Sequence, residues 1–435
     1  MQIKRKCLMV LSLIMTAALL GSCGWKGRGA SIPDDAGTKI TPTEIPVTYT
    51  PTPFQVREPL VTDVNADAHA VMPLLSGYDE PIWQFAEHNP IEKTISGDSA
   101  TKADFQIFHT DTQLYIRLNV QDKSKTVTNQ VDTSDRVVIF LNEAGDKPAK
   151  YAAGDATCTI LRDGRIVYGT GCDSSHMKAV GFETDNGYVV EVTMPLVAVT
   201  VIPDTVVGFD VQVIDLDGDK IVKKLAWNDT SDKTATTLTG IGSLALEKDN
   251  NTGRFPSPVI DGEDEELWSI SQAFPLQNPA WGDKGTEAEF RILWDTGKVY
   301  LKIDVKDATP NSEGMVMTRK DCVEVFLCGD GTKSDKYREG KDLHIRIGRD
   351  GALECGNGIN ASAVTYQVKS NESGYTVEVM LPAPKESMVC GGFLGLDIHV
   401  NDSEGEGQRN RILTWSDTSL MTYTDLSAVG TINLK

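Results

Sequence analysis
The chain has 435 residues and an acidic excess, 62 Asp and Glu against 42 Lys and Arg, for a formal charge of −20. Nucleic acid, anionic lipid surfaces and acidic polysaccharides would each be approached against repulsion, so a neutral ligand is favoured. The same charge also serves solubility on an exported protein.

Lys4, Arg5 and Lys6 precede an apolar run from Leu8 to Leu20. These are the charged and hydrophobic regions of a secretory signal over residues 1–22, too short for a comfortable membrane span. The signal ends in Leu20-Gly21-Ser22-Cys23, which resembles the bacterial lipobox. That resemblance implies cleavage before Cys23, lipidation of its thiol, and a mature protein held on the outer face of the cell membrane. Residues 23–73 then turn to Pro and Thr, as in Thr41-Pro42-Thr43 and Thr50-Pro51-Thr52-Pro53. Such a composition buries too little apolar surface to fold and predicts an extended spacer.

Behind the spacer the sequence repeats itself. Trp83, Phe105, Tyr115, Val120 and Asp122 recur 185 positions later as Trp268, Phe290, Tyr300, Val305 and Asp307. Past small insertions, Asp163-Gly164, Tyr188, Glu191, Asp210 and Asp215 recur as Asp350-Gly351, Tyr375, Glu378, Asp397 and Asp402, and Trp227 and Gly242 as Trp415 and Gly430. A unit of about 175 residues is too long for a solenoid, so the repeat predicts two tandem domains, 74–247 and 258–435, separated by a polar linker at 248–257. Within each copy the apolar pattern has period two. Leu114, Ile116, Leu118 and Val120 alternate with polar neighbours, as do Val299, Leu301, Ile303 and Val305. Many short strands between Gly, Asn and Asp turns, with helical periodicity almost absent, predict an all-β chain of two antiparallel, jelly-roll-like β-sandwiches.

Cysteine usage fits export. Beyond Cys7 and Cys23, the first copy holds Cys158 and Cys172 and the second Cys322, Cys328, Cys355 and Cys390. Cys158 and Cys172 bracket the turn Arg162-Asp163-Gly164, so a cross-strand disulfide is expected there. No Cys/His spacing suggests zinc.

The ordered marks Val259-Ile260-Asp261-Gly262, Leu267-Trp268, Leu293-Trp294-Asp295, Val323-Glu324-Val325-Phe326, Gly374-Tyr375-Thr376-Val377-Glu378 and Leu413-Thr414-Trp415-Ser416-Asp417 resemble the family 9 carbohydrate-binding modules, often appended to bacterial xylanases. The likeness spans both copies. It implies a β-sandwich that clamps a terminal sugar between two aromatic rings while charged and amide groups bond its hydroxyls. A pyranose has apolar C–H faces for the rings and a polar rim for the rest.

In the first copy the clamp positions hold Asp132 and Ala235, and Val138 and Thr159 stand where the second copy has Glu324 and Arg346. The first copy is therefore expected to keep the fold without this sugar site, as a structural spacer or a site of altered specificity. In the second, Tyr423 keeps one clamp position, Thr318 replaces the other ring, and Glu324 and Arg346 keep the polar positions. Alternation alone points Glu324, Arg346 and His344 away from the apolar face. Asn401, on a later strand, and Trp281, which has no counterpart in the first copy, complete the candidate set. Trp83, Trp268, Trp227 and Trp415 recur whether or not the clamp is present and are expected in the core.

Catalysis has no motif behind it: G-x-S-x-G, H-E-x-x-H and P-loop patterns are all missing from the sequence. No cofactor is certain. Structural calcium is admitted by the acidic turn with Asp215, Asp217 and Asp219, although that turn breaks the EF-hand pattern. The expected function is thus a non-catalytic, surface-anchored lipoprotein binding neutral plant-type polysaccharide or oligosaccharide, of the xylan or cellulose class, beside secreted glycoside hydrolases and away from nucleic acid. Two other readings stay open: an adhesion lipoprotein using both sandwiches for protein contacts, and a b-type haem module with His344 and Met315 or Met317 as axial ligands.

Overall fold
A computed structural model describes residues 64–172, 174–246, 253–282, 286–313, 316–405 and 409–435. The signal, Cys23, most of the spacer and Met315 lie outside them. Among the described residues no helix is long and apolar enough to cross a membrane.

Each copy is a β-sandwich. In the first, one sheet runs in the order Lys178–Thr184, Gly187–Pro195, Gln113–Gln121 and Lys102–His109, with Asn89–Ile91 on its edge. The other runs Lys93–Gly97, Lys220–Ala226, Val206–Asp217, Arg136–Asn142, Asp155–Leu161 and Ile166–Tyr168. The predicted period holds: Leu114, Ile116, Leu118 and Val120 face Val137, Ile139, Val211 and Val213 across a single buried core. In the second copy, Thr365–Asn371, Gly374–Pro382, Lys298–Lys306 and Glu287–Asp295 form one sheet, and Leu353–Cys355, Asp342–Gly348, Cys322–Cys328, Phe393–Ser403, Arg409–Thr414 and Asn278–Trp281 follow one another across the other.

Local chemistry explains the repeated marks. Gly164 and Gly351 take φ of 85° and 80° at the Asp-Gly turns, a left-handed conformation that glycine adopts without penalty. Gly242 and Gly430 lie under the indoles of Trp227 and Trp415, where a Cβ would sit only 2.4 and 2.3 Å from the ring. Asp397 accepts backbone N–H groups from Ser416 at 2.9 Å and Asp417 at 2.7 Å, tying the Trp415 segment to its strand, and Asp210 does the same for Asn228 and Asp229.

Two expectations about the segments leading into each copy are corrected. Asn65–Ala70, placed in the spacer, is a strand, and it belongs to the second sandwich: Asn65 to Ala68 pair in parallel with Thr431 to Leu434, then His69 and Ala70 pair with Leu293 and Trp294. Gly253–Arg254, placed in the linker, pairs with Phe108 and His109 of the first sandwich, the positions equivalent to Leu293 and Trp294. The polar residues Asn65, Asp67 and His69 alternate with alanines that pack into the second core.

Trp83 and Trp268 are buried, 2 % and 1 % exposed, as expected, but not inside separate sandwiches. They sit on equivalent 3-10 turns, Pro81–Phe85 and Glu266–Ile270, in one cluster with Phe108, Leu293, Tyr300 and Ile270 that draws on both copies. Beside it Gln84 Nε2 donates to Ser269 Oγ at 3.4 Å, a bond between equivalent positions 185 residues apart.

Candidate functional site
The sheet of the second sandwich that carries Cys322–Cys328 turns Val323, Val325 and Leu327 inward and Glu324 and Phe326 outward. Its register places Arg346 and His399 opposite Glu324 on the two neighbouring strands, and Asn401 opposite Cys322. Glu324 is 0 % exposed, and all its hydrogen-bonding capacity is turned to side chains of the candidate set. Its Oε2 accepts from Arg346 Nε at 2.6 Å and bonds His344 Nε2 at 3.1 Å, while Oε1 accepts from Asn401 Nδ2 at 2.6 Å and Tyr423 OH at 2.7 Å. Five of the six residues singled out in the sequence therefore form one network with this carboxylate as its hub.

The sixth, Trp281, lies on the edge strand Asn278–Trp281. It pairs with Ile412, which pairs with Asn401, so it shares the site's row two strands out, half-buried. Thr318, at the lost clamp position, accepts Arg409 Nε on its carbonyl at 2.9 Å.

Tyr423 closes the network from above. Its ring meets His344 at 5.5 Å and 75°, and the Arg346 guanidinium lies 5.1 Å from its centroid, within cation–π range. Arg346 reaches past it to Glu354 and leaves Nη2 without a hydrogen bond among the described residues, its side chain 15 % exposed. Two groups missed in the sequence belong here. Phe326 stacks under His344 at 4.3 Å and 7°, and His399 packs on Phe326 at 4.6 Å. The alternation that located Asn401 also places His399 and Asp397 on the same face and was sufficient to find them.

Burial opposes ionisation of Glu324, but the His344 hydrogen bond and the charges of Arg346 and the two histidines hold it well below the usual carboxylate range. Burial pushes His344 down, and it raises the Tyr423 hydroxyl together with the Glu324 charge. Burial also works against His399 as a cation, yet Asp397 and Glu324 raise it. Among the described residues, Asn401 Oδ1 and His399 Nδ1 are buried without a hydrogen-bond partner. The site therefore offers a ring surface and an ionic donor, two of the groups that a hydroxylated ring needs.

In the first sandwich the same register holds Val138 opposite Thr159 and Gln212. Val138 packs with Phe140, Leu238 and Ile241, so an apolar patch replaces the hub.

Three further expectations change. Asp215 does not share the turn with the exposed Asp217 and Asp219; it points inward to a buried triad with Asp122 and Asp135, repeated as Asp307, Asp321 and Asp402. Arg162 Nη1 bonds Asp122 at 3.0 Å and Asp135 at 3.1 Å, and Arg349 Nη1 bonds Asp307 at 3.0 Å. The expected Cys158–Cys172 disulfide is not formed: both thiols are free, with Cys172 Sγ donating to the Thr157 carbonyl at 3.0 Å. His344 has Phe326 on one face and Tyr423 against it, with Nε2 bonded to Glu324 rather than presented to a haem iron.

A family model described as carbohydrate family 9 binding domain-like matches residues 75–249 and 260–435. Among curated proteins, endo-1,4-beta-xylanase A of Thermotoga maritima is 30% identical over 348 residues, 79% of this chain and 32% of that protein. Endo-1,4-beta-xylanase A of Thermoanaerobacterium saccharolyticum is 26% identical over 375 residues, 85% of this chain and 31% of that protein. The chain thus spans about a third of the length of these relatives. A solved family 9 carbohydrate-binding module from Caldicellulosiruptor kristjanssonii, in complex with cellotriose, is 24% identical and covers 41% of this chain and 90% of its own, with a TM-score of 0.39.

Proposed function
We propose, since the chain belongs to the carbohydrate family 9 binding domain-like family, that it is a non-catalytic protein that binds a neutral oligosaccharide or polysaccharide of the xylan or cellulose class through its second sandwich. The observation that carries this reading is the Glu324 hub. A carboxylate buried in a sheet face gains nothing for the fold that the Val138 patch does not supply in the first copy, but it fixes Arg346, Asn401 and Tyr423 in one orientation. A sugar ring would lie against Tyr423, with a hydroxyl on Arg346 Nη2 and Trp281 at the far edge of the row, while Asn401 holds the Glu324 hub beneath. With one clamp ring replaced by Thr318, the affinity is expected to be modest.

Cys23 is the proposed lipid anchor, with the spacer lifting the sandwiches from the outer face of the membrane, and secreted glycoside hydrolases are the proposed company. Structural calcium fits the two buried triads: three carboxylates face Arg162 in the first and Arg349 with Arg411 in the second, so each keeps an excess of negative charge, all donors are hard oxygens, and among the described residues buried Asp402 Oδ1 has no hydrogen-bond partner.

Calorimetric titration of the full chain against cello- and xylo-oligosaccharides tests the reading. Binding that Tyr423→Ala and Arg346→Ala each weaken supports it. Binding indifferent to both, or no binding to either series, overturns it.

A further inference from the structure
The segment leading into each copy is spatially part of the other. Asn65–Ala70 fills the gap between the two sheets of the second sandwich, where Trp294 Nε1 donates to the Ala68 carbonyl at 3.0 Å, Lys435 N to the same carbonyl at 2.8 Å, and Ala70 N to the Lys435 carbonyl at 2.9 Å. Ala66, Ala68 and Ala70 point into the core there, and side chains this small let the backbone lie against the Trp294 indole. On the first sandwich, Gly253–Arg254 takes the equivalent place beside Phe108 and His109, with Arg254 paired to Asp111 and Phe255 edge-on to Tyr115 at 6.1 Å. Around this crossing lie the shared cluster of Trp83 and Trp268 and the Gln84–Ser269 bond, where like position meets like. A surface that meets its own equivalent is the mark of a two-fold, isologous interface.

We propose that the two sandwiches form a fused, strand-exchanged dimer, in which the segment ahead of the first copy completes the second and the segment ahead of the second completes the first. The partner for the groove between Thr431–Leu434 and Leu293–Trp294 is thus this chain's own Asn65–Ala70, added as a parallel strand. The exchange gives the first sandwich a role that needs no ligand. Thr431–Leu434 also pairs with Phe393 to Leu396, the start of the strand that continues to His399 and Asn401, so docking of the exchanged strand supports the outer face of the second sandwich. This inference concerns assembly alone and stands whether or not a sugar binds.

Two experiments on the full chain decide it. Asp67 and Asn433 are register partners. With Cys390→Ser in the background, the pair Asp67→Cys and Asn433→Cys is expected on oxidation to form a crosslink within one chain, read as a shifted gel band of monomer mass and a linked peptide. No crosslink, or crosslinked dimers of two chains, would overturn the arrangement. Independently, a protease site is inserted between Gly77 and Tyr78, a turn where a Cβ added to Gly77 would meet open space and Tyr78 is exposed, with an affinity tag placed upstream. After cleavage the tagged fragment is expected to co-elute with the rest of the chain under native conditions and to separate only in denaturant. A fragment that elutes free under native conditions overturns the proposal.

Discussion

Tyr423 donates its hydroxyl hydrogen to Glu324 at 2.7 Å while its ring stands over Arg346, so the aromatic surface and the carboxylate beneath it are one unit. Tyr423→Phe keeps the ring and removes the bond, leaving Glu324 Oε1 with Asn401 alone. We expect a stability loss of about 1–3 kcal/mol and a small change in sugar affinity. Tyr423→Ala removes the ring surface as well and should weaken binding by roughly 1–3 kcal/mol, close to tenfold or more. Titration of both variants separates the two roles; equal affinities would show that the ring is not a platform.

The Glu324–Arg346 pair invites a non-additive test, because the first copy shows the apolar alternative at the same register, Val138 opposite Thr159. Glu324→Val alone leaves His344 without its carboxylate and Arg346 with only the half-exposed Glu354, and should cost about 3–5 kcal/mol. Adding Arg346→Thr should recover part of that loss, a coupling of roughly 1–3 kcal/mol by denaturant unfolding. The double variant is expected to be folded and to bind no sugar. Additive losses would mean that the pair is not a cooperative hub.

Much of this was legible because the signals were periodic. A strict register in the repeat defined the two sandwiches, and alternation along 322–328 and 342–348 was enough to put Glu324, His344 and Arg346 on one face. What failed was partner choice between equivalent surfaces. Ala66, Ala68 and Ala70 make a weak strand signal beside a Pro/Thr-rich tract, and nothing local in a duplicated sequence says which of two equivalent edges a leading segment will join. Trp83 and Trp268 were read as buried for the right reason, yet their seam is shared between copies. Alternation alone would put Asp215 and Asp217 on one face; the bulge between Asp215 and Leu216, which no local signal marks, leaves Asp215 buried and Asp217 exposed.

Stability should fall as pH rises above mildly acid values, and Glu191 is one cause. It is buried against Arg117 at 3.3 Å, with Oε2 unbonded, and burial followed by the nearby Glu80 charge pushes it up to about 8. A carboxyl with a raised folded pKa binds its proton more tightly in the folded state. Its stabilising effect is therefore complete below the unfolded value of 4.5 and is lost as pH climbs through about 8. Glu324 acts in the opposite sense, contributing above the unfolded value and failing in acid. Unfolding free energy measured across pH should peak between these limits, and Glu191→Gln should flatten the alkaline limb. An unchanged limb in that variant would acquit Glu191.

Cys158 and Cys172 are poised to react with each other. Hydrogen bonding between the thiols, ahead of burial, raises Cys158, and the same bond pulls Cys172 down to about 7, which makes Cys172 the thiolate of the pair. Iodoacetamide should label Cys172 first, and oxidation in an exported setting should join the two with a gain of about 2–3 kcal/mol. Peptide mapping after mild oxidation checks this. Two thiols that both stay free while the exposed Cys390 oxidises would refute it.

Metal removal tests the buried aspartate triads. Asp122, Asp135 and Asp215 face Arg162 in the first sandwich, and Asp307, Asp321 and Asp402 face Arg349 and Arg411 in the second, where burial pushes Asp321 up to about 7. A buried site with surplus carboxylate charge has two ways to relieve it, taking up a proton or binding a cation. Calcium at either triad should therefore raise the unfolding temperature by several degrees, more at pH 8 than at pH 5, because the competing proton is absent at the higher value. Chelator should reverse the gain, and Asp321→Asn should abolish the second sandwich's share. Unfolding temperatures that ignore both calcium and chelator at pH 8 would show that the arginines alone suffice, and that the triads are structural ion pairs repeated with the fold.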